Sequence, residues 1–356
     1  MRIHYFNIKQ EKQTIIKTFF STMKKLLFFA IGAMLFGASC QQNGMGEANG
    51  ASNVKLVLDI PELAGTRAGE TNMNSGLGAI DNFDAGEWAK YDIRYMMEIY
   101  DATDGYVNFE KPIKSREIKT VDEYSEIMFE TRLIPNRTYR FVVWADFVKQ
   151  GTQDDLCYDT TDLNAITRKS VVAMDECQDA YFIQKDLYVN SNGISANLVL
   201  KRPFGKIRVI TTDHNEVNFG SEPETVAIKF YNHKLYTTLN AVTGTASGET
   251  LNEYTYTVAK DAPYTEGYDE VAENMTLFAD YILAGDFETE GAQEINFTIE
   301  VWGKDGRVIN SHDFNTQIPL GRNHLTTIIG NLLTIKNDFR ISIDDNFDGE
   351  NINNWD

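Results

Sequence analysis

The sequence predicts an all-β protein made of antiparallel sandwiches, on three observations. Short segments in which apolar and polar residues alternate recur along most of the chain, separated by turn formers. Aromatic residues make up 12% of the 356 residues and prolines number only 7, which marks a folded, strand-rich chain and not a disordered one. No long segment sustains a 3.6-residue period, so helices are expected to be few and short.

The first element is not part of the fold. Residues 1–22 precede Met23, where a well-formed secretory signal begins, so translation is expected to start there. Lys24 and Lys25 form a positive start, residues 26–36 are almost unbroken apolar, and Gly37, Ala38 and Ser39 are small residues ending at Cys40. A membrane span needs about 20 apolar residues to cross about 30 Å of hydrocarbon, so this run is read as a cleaved leader. With its terminal cysteine the stretch resembles a bacterial lipoprotein signal, which implies Cys40 as the lipidated first residue of the mature chain. An ordinary leader with an incidental cysteine is the alternative. Residues 41–52 (QQNGMGEANGAS) are polar, Gly-rich and without period, as a flexible tether is.

Removing residues 1–39 takes six basic and one acidic residue from totals of 33 and 52, leaving 27 against 51 and a formal charge of −24. Such a surface repels nucleic acid and anionic headgroups, so DNA and RNA are excluded as partners. About 315 mature residues exceed one typical core and suggest two domains.

Residues 54–60 alternate cleanly: Val54, Leu56, Leu58 and Ile60 point one way, Lys55 and Asp59 the other, as in a half-buried strand. After Pro61 comes LAGTRAGETNMNSGLG, in which Arg67 is the one basic residue, a good target for a trypsin-like protease. Residues 93–100 are the next strand, with a turn at 101–105 and a return beginning at 106–109. Strands 127–133 and 139–146 are joined through the turn formers Pro135 and Asn136. Ile99, Phe129, Phe141 and Val143 are the expected core of this half. Residues 154–169 are polar and irregular, residues 171–183 hold a short helix before Tyr181, and NSNG at 190–193 reads as a hairpin into 194–200. Cys157 and Cys177 are a candidate disulfide for an exported protein, closing about 20 residues for ~3 kcal/mol; two small core residues are the alternative.

Pro203 cannot donate to a central ladder, so KRPF at 201–204 reads as a crossing between domains. Beyond it, strands are expected at 206–212, 226–231, 254–258, 275–282, 295–302 and 308–314, at sandwich spacing, with the clearest short turn at KDG, 304–306. Residues 323–334 and 339–343 are further strands before an acidic tail from Asp344. The resulting division is 1–39 leader, 40–52 tether, 53–202 first sandwich, 203–337 second sandwich, and 338–356 last strand and tail.

No motif for chemistry emerges. His214, His233, His312 and His324 stand far apart without a second ligand at zinc spacing. Asp344, Asn346, Asp348 and Gly349 match the start of a calcium loop, but Trp355 occupies the place of its bidentate Glu. Nucleophile elbows, phosphate loops and dinucleotide fingerprints are missing, so neither an enzyme nor a cofactor is expected. Trp88, Trp144, Trp302 and Trp355 are the candidates for a sugar-stacking platform, although Trp144 and Trp302 sit in apolar strands and read as core. A surface glycan-binding lipoprotein is therefore the rival function.

Several passages carry a family resemblance: the signal ending at Cys40, NVKLVLDI (53–60), the loop with Arg67, LKRPFGKIRV (200–209), PLGRNHLTTIIGNLLT (319–334) and FRISIDDNFDGE (339–350). Together they resemble the fimbrillin-like lipoproteins of Gram-negative anaerobes, subunits of type V fimbriae and related adhesins. The resemblance implies two tandem transthyretin-like β-sandwich domains, a lipid anchor in the outer membrane, and other fimbrial subunits or surface ligands as partners. In polymerising members it further implies cleavage after an arginine in the first long loop, here Arg67. The first strand then leaves, and a neighbour's strand fills its groove. Phe339, Ile341 and Ile343 share one face of the candidate donor; shaft, tip and anchor roles stay open. Asp159, Thr160 and Thr161 resemble the Asp-Thr-Thr pattern of O-glycosylation in such bacteria.

Overall fold

The alternating segments become strands in a computed structural model that describes residues 51–60, 90–104, 107–122, 127–169, 176–217, 223–231, 235–248, 253–257, 275–285, 293–335, 339–344 and 353–354. A first run comprises β1 (Ser52–Asp59), β2 (Tyr91–Asp101), β3 (Glu117–Val121), β4 (Ile127–Leu133), β5 (Arg137–Lys149), the short β6 (Tyr158–Asp159) and β7 (Ile166–Arg168), β8 (Ala180–Val189) and β9 (Ile194–Val199). The second run is β10 (Phe204–Thr211), β11 (Pro223–Tyr231), β12 (Thr238–Asn240), β13 (Thr245–Ser247), β14 (Glu253–Thr257), β15 (Met275–Leu283), β16 (Gln293–Gly303), β17 (Val308–Leu320), β18 (Leu325–Gly330), β19 (Phe339–Asp344) and β20 (Asn353–Asn354). Helical turns among the described residues are two 3-10 turns, Glu176–Gln178 and His214–Glu216. The protein is an all-β sandwich fold, as the alternation demands.

Both runs repeat one wiring. In the first, β1 lies between β4, antiparallel, and β9, parallel, and this sheet faces the sheet β3-β2-β5-β8. In the second, β10 lies between β15, antiparallel, and β18, parallel, and this sheet, extended by β19 and β20, faces β14-β11-β16-β17. One apolar cluster fills each sandwich: Val54, Leu56, Leu58, Ile99, Phe129, Phe141 and Val143 belong to the first, Ile207, Val209, Ile228, Phe297, Phe314 and Ile328 to the second. Ile99, Phe129, Phe141 and Val143 are thus core, as their positions in alternating segments require.

The strands that break the repeat build a bridge. β6 and β7 are inserted in the first run, β12 and β13 in the second, and together they form a sheet of order β13-β12-β7-β6. This sheet covers the outward face of β2 and β5, so Met96, Tyr100, Val142 and Trp144 are buried with Phe204, Leu239, Tyr281 and Leu325 of the second run. That second layer explains why β2 is buried on both faces where a lone sandwich would wet one. On the covered face Arg94 is paired in place: it reaches Asp146 at 2.7 and 2.9 Å and Asp155 at 2.9 Å.

Three local expectations differ from the structure. Residues 190–193 do not close a hairpin, because β8 and β9 lie in opposite sheets; the turn carries the chain across the sandwich. Pro135 and Asn136 join β4 to β5 as expected, with Asn136 at φ 57°, and this turn also crosses between sheets. The return after β2 is an isolated bridge of Asp101 with Asn108, and the paired strand is β3. Trp302 is half-buried on the outward face of β16, since its neighbour Val301 takes the core.

Candidate functional site

The resemblance directs attention to the first strand and the place it occupies. β1 is central, with a seven-residue ladder to β4 from Ser52 to Leu58 and a six-residue ladder to β9 from Val54 to Asp59. Its inward side chains Val54, Leu56, Leu58 and Ile60 are all 0–1% exposed. Their burial contributes on the order of 6–12 kcal/mol, at roughly 1.5–3 kcal/mol each. The outward side carries charge: Lys55 stands opposite Glu130 of β4, a favourable cross-strand pair. Close approach of β9 depends on Gly193, at φ 82°, where a Cβ would lie 2.2 Å from the Asn53 carbonyl oxygen. Taking β1 away would leave β4 and β9 facing each other across an apolar slot with unpaired backbone groups on both walls. Nothing in the sequence singled out β9 as the parallel wall, since pairing partners leave no mark in local alternation.

The candidate donor is docked on its own sheet. β19 pairs antiparallel with β18, Phe339 opposite Gly330 and Ile343 opposite Thr326. Phe339 and Ile341 are half-buried against the second core, Phe339 edge-on to Phe314 at 4.9 Å between centroids, and Ile343 is buried. The turn leading to it is pinned by Asp213, a residue that no motif or periodicity marks out. That carboxylate accepts hydrogen bonds from the hydroxyls of Thr211 (2.5 Å) and Thr334 (2.6 Å) and from the amides of Leu333 (3.1 Å) and Thr334 (2.7 Å). Burial pushes the Asp213 carboxyl up, but these donors outweigh it and hold it below the ordinary carboxylate value. Asn310 Nδ2 donates to the Leu332 carbonyl at 3.0 Å, and His312 Nε2 lies 2.6 Å from the same oxygen.

The remaining predicted sites separate. Cys40, Arg67, Trp88 and Trp355 lie outside the described residues, as do residues 345–350 of the calcium-loop pattern. Cys157 is half-buried beside β6 and Cys177 is buried in the first 3-10 turn, and the structure carries both as thiols. Trp144 is fully buried; Trp302 donates from Nε1 to Glu300 Oε2 at 3.1 Å. Within Asp159, Thr160 and Thr161, the central hydroxyl is enclosed: Thr160 is 2% exposed, donates to Asp155 at 2.6 Å and accepts from Arg94 at 3.3 Å. No group of three His, Cys, Asp or Glu side chains is placed to hold a metal ion among the described residues. No helix among them is long and apolar enough to cross a membrane.

Solved structures similar to this chain come from Bacteroidales. A fimbrial assembly protein of Parabacteroides distasonis shares 11% identity, with 86% of this chain and 99% of that one covered and a TM-score of 0.40. A proposed cell adhesion protein of Bacteroides ovatus shares 16%, with 86% and 98% covered and a TM-score of 0.44. Another of Bacteroides uniformis shares 14%, with 84% and 98% covered and a TM-score of 0.39. No curated protein matches the chain. The model of the family of unknown function DUF6562 matches residues 46–356, and the chain belongs to that family.

Proposed function

We propose that this chain is a lipid-anchored outer-membrane protein that serves in adhesion or as a fimbrial subunit, held by Cys40 and acting through contact and not catalysis. Its two modules, residues 53–202 and 203–337, divide at the crossing before Pro203. Assembly proceeds by strand exchange: cleavage after Arg67 frees β1, and β19 of another subunit takes its place. One observation carries this reading. β1 is the first strand among the described residues, central in its sheet and fully buried on one face, and residues 61–89, which include Arg67, separate it in sequence from β2. Among the described strands, a cut there separates β1 alone and leaves the others in one covalent piece.

Incubating the native protein with an arginine-specific protease tests it. A new N-terminus at Ala68, followed by growth of oligomers, is the expected result; resistance at Arg67 with the fold intact overturns strand exchange. The anchor is tested separately: fatty-acyl mass on Cys40 is expected in the membrane fraction and is lost in Cys40→Ser.

A second reading, a surface glycan-binding lipoprotein, draws on Trp302, a half-buried aromatic with Glu300 beside it on an outward sheet face. A glycan-array signal that disappears in Trp302→Ala would favour it.

A further inference from the structure

β19 and β1 are alike in more than alternation. The six residues of β1 that pair with β9 are Val54, Lys55, Leu56, Val57, Leu58 and Asp59, and β19 has six residues, Phe339, Arg340, Ile341, Ser342, Ile343 and Asp344. Position by position the two agree in kind: apolar at the first, third and fifth places, a cation at the second, an Asp at the sixth. The fourth place, Val57 in one and Ser342 in the other, points to the outer face in β1.

We infer that β19 of a second copy enters the slot in one register, with Phe339 at the site of Val54, Ile341 at that of Leu56 and Ile343 at that of Leu58, running in the direction of β1. This rests on the strand-exchange reading above and adds to it which residue meets which. The charges choose this register. Arg340 takes the place of Lys55 and stands opposite Glu130, whereas in its own sheet it stands opposite Ile329. Asp344 takes the place of Asp59, where β1 ends. Sliding the strand two residues forward would put Arg340 opposite Met128 and Asp344 beyond the end of β1. Phe339 is larger than Val54, whose site is 1% exposed in the intact chain, so the neighbours of that site shift to admit the ring.

Disulfide trapping reads the register. In a Cys157→Ser background, an acceptor copy carrying Met128→Cys is cleaved with the arginine-specific protease and mixed with a donor copy carrying either Ser342→Cys or Arg340→Cys. Met128 and Arg340 are exposed and Ser342 half-buried, and Met128 pairs with Val57, so the inferred register gives at least fivefold more linked dimer with Ser342→Cys. Equal or greater linkage with Arg340→Cys overturns it, and so does a lack of linkage with both in protein that still assembles. Cleaved wild-type chain run alongside separates the two claims: if it stays monomeric by light scattering, strand exchange itself fails and the register falls with it. Charge reversal gives an independent arm. Arg340→Glu in the donor is expected to slow assembly several-fold, with recovery on an acceptor carrying Glu130→Arg; unchanged assembly with Arg340→Glu overturns the assignment of Glu130 as its partner.

Discussion

Asp213 shows how much one side chain can hold. Its four donors span the end of β10 and the turn after β18, so Asp213→Ala leaves the buried Leu333 amide unmet and is expected to cost about 3 kcal/mol, read as a lower urea midpoint. Thr334→Ala, which removes one hydroxyl, is expected to cost about 1 kcal/mol. The pH dependence has a definite sign. Asp213 and Asp155 are both held below the unfolded value, Asp155 by Thr160 and Arg94 against its own burial. Their contribution is complete above the unfolded value and is lost as pH falls through the folded one, so the midpoint should hold from neutral pH to about 5 and drop below about 4. Asp146, pushed up by burial despite Arg94, opposes this in part. Asp213→Asn should flatten the drop. At Cys157 and Cys177 an intact mass unchanged by reduction is expected, with Cys177 reacting only after unfolding.

Among the elements, β1 carries the sharpest test of packing. Leu56→Asp places a carboxylate among apolar neighbours at a site with 0% exposure and is expected to unfold the first sandwich, whereas Lys55→Gln on the other face should change stability by less than about 0.5 kcal/mol. Thermal unfolding distinguishes them. The alternation of residues 54–60 is enough to foretell both outcomes, because a period of two assigns faces without reference to a partner. What it leaves open are the neighbours. Residues 190–193 and Pro135 with Asn136 have the composition of hairpin turns, yet each connects opposite sheets, since a tight reversal and a crossing ask for the same turn residues. Trp302 differs from its expected core position for a related reason: it stands in an apolar run beside Val301, and only the register with Val308 and Thr225 shows which of the two faces outward.

In the molecule as a whole, the described strands form one compact unit in which the two sandwiches are joined by more than the crossing at Pro203. β7 pairs with β12, Arg168 reaches across to Asp280 at 2.8 Å, and Arg202 is fully buried against Asp179 at 2.8 Å. Removing one partner of such a pair strands the other, at about 3–5 kcal/mol. Asp280→Ala is therefore expected to split a single unfolding transition into two, one per sandwich, by calorimetry; a single sharp transition in the variant would show that the sandwiches do not depend on this contact for their coupling.

By itself the sequence determined that the chain is all-β, where most strands lie, and which face of each turns inward, because these follow from a two-residue period and from local turn chemistry. The tertiary structure alone decided that β1 is flanked by β4 and β9, that the inserted strands pair across the two halves, and that Arg94 and Thr160 are enclosed. Those outcomes depend on contacts between residues tens of positions apart, and no local pattern encodes a partner at that distance.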